Sequence, residues 1–517
     1  MTCVLGTFVT MVMVGCASLP DVKERPASFA IDSGATTSLG ALAAKGMPTD
    51  AQSLSGFRLL PEAEFAFEAR VALLRHAERT IDMQYYLIRN DDAGLLLLKE
   101  LRDAAARGVR VRLLVDDLYA GGEDRLFSTL AAFPLVEVRL FNPLPSRVRS
   151  LSMRLALSFF ELLRINHRMH NKLLVADNSW AITGGRNIGN EYFMRDAAAN
   201  FIDLDILSSG PVVHEMSRSF DQFWNRDQVR PIQEIVLNDE NPQLAQREFD
   251  ERVRAAVPDM ATGPLDVFGR PPVGQEILKG TLDRHWASAR FFSDIPQKLT
   301  MQHDAAYLGS VSEGALSSIA ASRREVKILS PYFVPGPQGM AILENFVASG
   351  GHALVVTNSL GSTDEPLAYA GYERYRTEML KIGVVVYEIA PSGLPSNEKF
   401  RKFGKSISRL HAKVALLDNS KIFIGSMNLD HRSAAINTEL GLLIESPAMV
   451  EEFNSLIAAE HIELSYRLRL TEDGKRTQWV IPGIDGSQIV HEDVPGKFLW
   501  LRLKNWLILP IMGEELL

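Results

Sequence analysis

Apolar residues recur along this chain in two alternating rhythms. FAFEARVALLRHAER (65–79) has the three-to-four spacing of a helix with one buried face, and TIDMQYYLI (80–88) then reads as a strand. AGLLLLKELRDAAARG (93–108) predicts a second helix, and VRVRLLVDD (109–117) a buried strand. Such alternation predicts an α/β fold in which helices cover a largely parallel sheet.

The same order returns further on. Residues 312–323 have helical spacing, REVKILSPYFV (324–334) is a strand and GMAILENFVASGG (339–351) is helical. HALVVTNSL (352–360), YERYRTEMLKIG (372–383) and VVVYEIA (384–390) repeat strand, helix, strand. The repeat unit is roughly 180 residues, far longer than a solenoid period. The expectation is two duplicated halves, 57–235 and 294–470, each a mixed, mostly parallel sheet flanked by helices, around one shared cleft. Residues 236–293, with several prolines and little periodicity, read as a connector and cover, and 471–517 as a C-terminal tail.

Before the first half the pattern fails. Residues 17–56 are rich in Ser, Ala, Gly, Thr and Asp and read as a flexible tether. Ahead of them, Val4–Val14 is an apolar run too short to span a bilayer comfortably but suited to a signal peptide over residues 1–16. Both cysteines, Cys3 and Cys16, lie here, so the folded body has no disulfide framework. Met13-Val14-Gly15-Cys16 resembles a bacterial lipobox, which implies lipidation of Cys16 and a lipoprotein held in the bacterial cell envelope, facing the periplasm.

Composition adds little. Across 517 residues the net charge is -8, and an acidic balance disfavours broad nucleic-acid binding.

The chemistry lies in a repeated motif. HNKLLVADNSWAITGGRN (170–187) and HAKVALLDNSKIFIGSMN (411–428) align His170, Lys172, Asp177 and Asn187 with His411, Lys413, Asp418 and Asn428 at a constant offset of 241 residues. On a strand, residues two apart share a face, so each histidine projects with its lysine. Asp-Asn-Ser reads as a hairpin turn. A two-residue loop, Asn178-Ser179, sets His170 opposite Asn187 and Lys172 opposite Gly185; its counterpart sets His411 opposite Asn428 and Lys413 opposite Ser426. Gly185, Asn187, Ser426 and Asn428 thereby become candidates for holding a phosphate. Asp177 and Asp418 belong to the motif, but seven residues of strand separate each from its histidine, which favours a turn-closing role. Asp203 in NFIDLDIL and Glu439 in NTELGLLI are better placed to orient the imidazoles.

Two histidines answer a specific need. Displacement at a phosphodiester through a covalent intermediate requires a nucleophile on one side and a proton donor for the leaving oxygen on the other. Two lysines and two asparagines would offset the developing charge. Neither an H-E-x-x-H run nor a Cys-His cluster occurs in the sequence, and the expectation is chemistry without metal or cofactor.

These residues resemble the signature of the phospholipase D superfamily, over nearly all of the chain after residue 57. QYYLI, RGVRVRLLVDD, VEVRLFNP, NHRMHNK, GGRNIGNEYF, SPYFVP, AGYERYR and NTELGLLIES are similar in particular to bacterial cardiolipin synthases of the C type. The resemblance implies a phosphatidyl-histidine intermediate on His170, with His411 as acid and then base. It also implies transfer of a phosphatidyl group to phosphatidylglycerol, with phospholipids and a membrane surface as partners and no nucleic acid. A phospholipase D-type hydrolase, and less favourably a metal-independent nuclease, are the alternatives; the sequence names no helper protein.

Two further segments bear on membranes. SRVRSLSMRLALSFFELLRIN (146–166) mixes Arg147, Arg149, Arg154 and Arg164 with a broad apolar face, which suits either a lipid interface or a core helix. KFLWLRLKNWLILPIM (497–512) suits an interfacial anchor, with Trp500, Trp506, Arg502 and Lys504. Tyr85, Tyr332 and Tyr372 are expected to pack, with the headgroup pocket as the alternative. For the N-terminus, radiolabelled palmitate is expected to enter the protein in cells; label persisting in a Cys16→Ala variant would exclude lipidation at that residue.

Overall fold

A computed structural model describes residues 19–496, apart from 33, 49–52, 149, 237–240, 255, 257–262, 300–308, 392–405, 458–464 and 483–486. Cys16 with its lipobox-like run, and the segment 497–512, lie outside the described residues. Among the described residues, no helix is long and apolar enough to cross a membrane.

Both halves are built alike. In the first, Thr80–Tyr85, Arg110–Asp116 and Val136–Phe141 pair in parallel. Lys172–Ala176, Trp180–Gly184, Asp205–Ser209 and Ser55–Leu60 continue the sheet antiparallel from Thr80–Tyr85. In the second, Glu325–Leu329, His352–Asn358 and Val385–Ile389 are parallel, and Val414–Leu417, Lys421–Gly425 and Leu440–Glu445 follow antiparallel. The sheets are mixed, with the parallel part narrower than the helix–strand alternation predicted. The motif strands are joined by tight turns, which only antiparallel neighbours permit.

The presumed connector holds the piece that joins the halves. His285–Ser293 pairs through its first residues with Ser55–Phe57 and through the rest with Leu440–Glu445, which links both halves into one 18-stranded sheet. The presumed tail likewise adds strands: Ser465–Leu470, Thr477–Pro482 and Gln488–His491 extend the second sheet beyond Val385–Ile389.

Among the described residues, strand alternation sorts most apolar side chains into three large cores. Val111, Leu113 and Val115 face an outer core beneath the helices Ala63–His76 and Asp92–Ala106. Leu173, Val175 and Ile206 face inward and meet Val414, Leu416, Ile424 and Leu442 of the second half. Helix Pro211–Trp224 adds Met216, Phe220 and Trp224 to that shared core. A third core lies under the helices Ser310–Ala321, Gly336–Ala348 and Pro366–Lys381. Because the middle core draws on both halves, neither buries its inner face alone.

The expected tether is not free where it is described. Arg230 donates to the carbonyls of Pro20 and Asp21, both at 2.9 Å, and Arg112 donates to that of Ser28 at 2.8 Å. Thr37 caps the helix Ser38–Ala44, whose Leu39 and Leu42 enter the first core, and Trp180 Nε1 donates to Leu39 O at 2.8 Å. Low hydrophobicity suggested a linker, but the segment is held largely through its backbone carbonyl and N–H groups, which composition does not register.

The motif turns correct the expected register. Asp177 and Asn178 have φ of 52° and 50°, and Asp418 and Asn419 of 53° and 54°. Asp and Asn tolerate this left-handed region, so they form the turn centre in place of Asn-Ser. Ser179 N donates to Ala176 O at 3.0 Å, yet Ala176 pairs with Trp180, which shifts the register by one residue. The second hairpin does the same, with Leu417 opposite Lys421. Continued, these registers bring Gly184 and Gly425 opposite the two lysines, where Gly185 and Ser426 were expected.

The same turns take the aspartates out of the chemistry. The Asp177 carboxylate accepts the backbone N–H groups of Glu78, Arg79 and Thr80 at 2.8 to 3.2 Å. Asp418 accepts those of Arg323, Arg324 and Glu325 at 2.7 to 3.1 Å. Each ties its hairpin to the start of a central parallel strand, far along the strand from the motif histidine. Asp177→Ala strands three N–H donors, and the expected loss is roughly 1–3 kcal/mol of unfolding free energy in urea titrations. Activity per folded molecule is expected to stay within about twofold, since a surface or structural change leaves transition-state contacts intact. A large fall in the folded enzyme would return Asp177 to the reaction.

Candidate active site

One short parallel ladder and one isolated parallel bridge cross between the halves and set the site. Ile407–Leu410 pairs in parallel with Ala199–Ile202, and the ladder ends on Leu410 opposite Ile202. The next residues, His411 and Asp203, face each other. At the related position Met169 bridges Thr438 in parallel, which brings His170 to Glu439. His411 N donates to Ile202 O at 2.7 Å and His170 N donates to Thr438 O at 2.9 Å.

Each imidazole therefore rests on a carboxylate of the opposite half. His170 Nδ1 is 2.9 and 3.0 Å from the two oxygens of Glu439, and His411 Nδ1 is 2.6 Å from Asp203 Oδ2. With Nδ1–H donated to a carboxylate, Nε2 is left with its lone pair free for chemistry. The peptides before the histidines are fixed as well. Asp116 accepts from Met169 N at 2.9 Å, and Asn358 accepts from Leu410 N at 2.8 Å, each from the end of a parallel strand.

The two lysines lie behind the histidines. Lys172 Nζ donates to His170 O at 2.8 Å and Lys413 Nζ to His411 O at 2.7 Å, both nearly fully buried. Lys413 Nζ is also 3.3 Å from the ring of its own histidine.

Ser426 and Gly185, expected at the phosphate, serve the carboxylates. Ser426 Oγ donates to Glu439 Oε2 and accepts from Leu440 N at 3.0 Å. Gly185 donates its N–H to Leu204 O at 3.1 Å, and a Cβ there would lie 2.1 Å from Asp203 Oδ1. Glycine at 185 is what lets the Asp203 carboxylate reach its place. The one-residue register shift turned both residues away from the cleft. Asn187 and Asn428 do line it together with His170 and His411, and the Oδ1 atom of each is buried without a partner among the described residues.

The cleft has a volume of about 800 Å³. Sequence reasoning missed the aromatic walls. Tyr86 stands edge-on to His170 with ring centres 5.0 Å apart, and Tyr192 edge-on to His411 at 5.3 Å. Tyr192 OH accepts from Asn187 Nδ2 at 2.8 Å. Of the tyrosines singled out, Tyr332 lines the cleft, while Tyr85 packs against Arg70 and Tyr372 hydrogen-bonds Glu388 in the core. Strand alternation from the apolar core side would have preferred Tyr86 to Tyr85. Asp364, Glu365, Asp430 and Arg432, also in the lining, sit on irregular segments or at element ends, where no periodicity points to a face. Among the described residues, no group of three or more His, Cys, Asp or Glu side chains is arranged to hold a metal ion.

Burial dominates the electrostatics. It holds His170 well below the usual histidine range, with Lys172 and Lys413 adding to the effect. His411 is lowered by burial and Lys413, against the pull of Asp203. Burial thus disfavours the imidazolium form of both rings, more strongly for His170 than for His411. Burial lowers Lys172 to about 7 and raises Glu439 to about 7, the latter against the opposing influence of Lys172 and Ser426.

The duplicated α/β fold is the one that the motif resemblance implied for a phospholipase D-like protein. A family described as cardiolipin synthase, phospholipase D-like domain, matches residues 71–224 and 316–460, and the chain belongs to it. It is 34% identical to cardiolipin synthase C of Escherichia coli K12 over 455 residues, which cover 86% of this chain and 93% of that protein. Cardiolipin synthase A of Pseudomonas fluorescens is 26% identical, with 78% of this chain and 68% of that one covered. The crystal structure of phosphatidylserine synthase from Haemophilus influenzae superposes with a TM-score of 0.52 and 15% identity over 81% of this chain and 90% of that one, a likeness of fold. The chain is thus an enzyme of the phospholipase D superfamily, of the phosphatidyltransferase class.

Glu439 leaves a mark on stability. A carboxyl raised from 4.5 when unfolded to about 7 when folded stabilises fully below pH 4.5, and that contribution is lost as pH rises towards 7. Between those limits the unfolded chain releases the proton first. Relative to Glu439→Gln, the unaltered protein is expected to lose stability from pH 5 to pH 8 in paired urea titrations; an unchanged difference would mean that Glu439 ionises normally. The same variant and Asp203→Asn are each expected to lower turnover by about 100-fold or more, because the imidazole loses its orienting acceptor.

Proposed function

We propose that the enzyme forms cardiolipin by moving a phosphatidyl group to a hydroxyl of phosphatidylglycerol through a phosphohistidine. The observation that carries this reading is the pair of imidazoles in one cleft, each backed by a carboxylate from the other half.

His170 Nε2 attacks the phosphorus of the donor phospholipid. His411, carrying a proton on Nε2, gives it to the leaving alkoxide, and Asp203 stabilises the cation while it is protonated. The acceptor hydroxyl then enters, His411 takes its proton back, and the acceptor oxygen displaces His170 from phosphorus. Lys172, Lys413 and the amides of Asn187 and Asn428 offset the charge on the phosphoryl oxygens. His170 is the better nucleophile of the two because burial and two neighbouring lysines keep it unprotonated more firmly than His411, which has Asp203 to favour its cation.

The cleft wall suits a glycerol headgroup. Burial and Asp364 raise Glu365 to about 7, and burial raises Asp430 to about 6, so both carry exchangeable protons near neutral pH. Such groups donate to and accept from hydroxyls. Six carboxyl side chains against three arginines line the cleft, which disfavours a nucleic-acid backbone. We place the enzyme at a membrane surface in the cell envelope, consistent with the lipobox-like N-terminus.

Purified protein incubated with labelled phosphatidylglycerol in EDTA is expected to give cardiolipin and glycerol by lipid chromatography. Phosphatidic acid as the sole product would make it a hydrolase. His170→Ala is expected to abolish turnover, since removal of a nucleophile typically costs about 10⁴-fold or more. Turnover that survives this change would overturn the mechanism.

A further inference from the structure

We infer that Val148 and residues 150–160 form a ridge at the rim of the cleft that enters the acyl layer of a phospholipid bilayer by apolar contact and not by charge. The inference rests on the phospholipid reading above and specifies the surface that meets the lipid.

The ridge is exposed and bulky. Val148, Met153, Leu157, Phe159 and Phe160 are 39%, 53%, 36%, 64% and 87% exposed. They fall within 13 residues of chain, whereas single exposed apolar residues are scattered on ordinary surfaces. Helix Leu151–Leu157 ends at Ser158, and the tighter turn Phe159–Glu161 throws two consecutive phenylalanines outward. Their ring centres are 5.9 Å apart at 81°, so each ring supports the other edge-on.

Its described arginines are each paired with an acidic side chain. Arg154 is fully buried and donates to Asp117 Oδ2 at 2.7 Å, to Asp117 O at 3.3 Å and to Ser146 O at 3.1 Å. A Cβ at Gly121 would lie 1.4 Å from Arg154 Nη1, so glycine is required beside it. Arg147 pairs with Asp117 and Asp124, and Arg164 with Glu161. None of these cations is left to seek an anionic headgroup, which separates the ridge from a basic, salt-sensitive lipid-binding helix.

Segments on either side of the ridge are bonded to residues next to or in the cleft lining. Asp117, which anchors Arg147 and Arg154, is followed by Leu118 and Tyr119 in the cleft lining. At the other end Asn166 accepts two hydrogen bonds, both 2.9 Å, from Arg432, another lining residue. An insertion of one helical turn's depth here would bring the cleft mouth to the headgroup layer, from which the substrate is drawn.

The test uses the full chain with Cys3→Ser, Cys16→Ser and Phe160→Cys, labelled at the new thiol with an environment-sensitive dye. On adding phosphatidylcholine vesicles, with or without phosphatidylglycerol, the dye is expected to shift to the blue and to be quenched by bromine-labelled acyl chains. High salt is expected to change the shift by less than about twofold, because screening acts on exposed charges and leaves apolar burial intact. A dye that stays in water while the protein binds vesicles would overturn the inference, as would a shift abolished by salt. A shift that appears without vesicles and grows with protein concentration would instead make the ridge a contact between copies. In a second arm, Phe159→Ser with Phe160→Ser is expected to cut turnover of vesicle phosphatidylglycerol by about tenfold and to spare a soluble short-chain analogue, since only the former needs buried apolar area. Equal loss on both would refute the ridge. If the unaltered enzyme turns over neither lipid, the substrate reading fails, while the dye still reports insertion.

Discussion

A histidine in this protein is finished by the other half of the molecule. Nδ1 of His170 reaches Glu439 and Nδ1 of His411 reaches Asp203, the first beside an isolated parallel bridge and the second at the end of a parallel ladder between the halves. The rest of the architecture holds those pairings in register. The inner core interleaves residues of both halves, and His285–Ser293 stitches their sheets together. A lone half would expose its inner apolar face and leave its imidazole without an acceptor. Duplication has here produced a site that neither copy contains.

This pairing also shapes the charges. Two carboxylates, two lysines and two imidazoles are withdrawn from water together, and such a cluster survives only when every member has partners. Glu439 is held by Ser426 as well as His170, and its backbone N–H donates to Asp294 at 3.2 Å. Asp203 accepts from its neighbour Leu204 N at 2.7 Å, and Gly185 clears the space beside it. The lysines spend a donor each on the histidine carbonyls, which keeps them close to the reaction without thrusting them into the cleft. Among the described residues, the amide oxygens of Asn187, Asn428 and Asn437, all in the cleft lining, are left without a partner.

Much of this was written in the sequence, because the motif recurs. The constant offset identified His170 with His411 and Lys172 with Lys413, and periodicity gave the α/β class. Asp203 and Glu439 were legible as acidic residues in apolar strands, although their exchange between halves depends on pairings that no local pattern encodes. Register failed for a local reason: Asp-Asn accepts the left-handed turn centre more readily than Asn-Ser, and one residue of slip moved Gly185 and Ser426 behind the site. Asp177 and Asp418 look catalytic by motif, yet each closes a turn onto three backbone N–H groups. The cleft's own acids, Glu365 and Asp430, and Arg432 stand where periodicity is silent. The described residues before position 49 misled by composition, since most of the bonds that hold them use main-chain groups.

That docked N-terminal segment sets a leash length. Leu19 packs on the first core and Pro20 is bonded to Arg230, so a lipid on Cys16 would have only Ala17 and Ser18 between it and the folded body. Three peptide steps at about 3.5 Å reach roughly 10 Å, against well over 100 Å for the forty residues composition had assigned to a free linker. Such a lipid would hold the folded body close against the bilayer, and the enzyme would have little freedom to turn its cleft away from it. Orientation, and not merely proximity, is what a short leash confers.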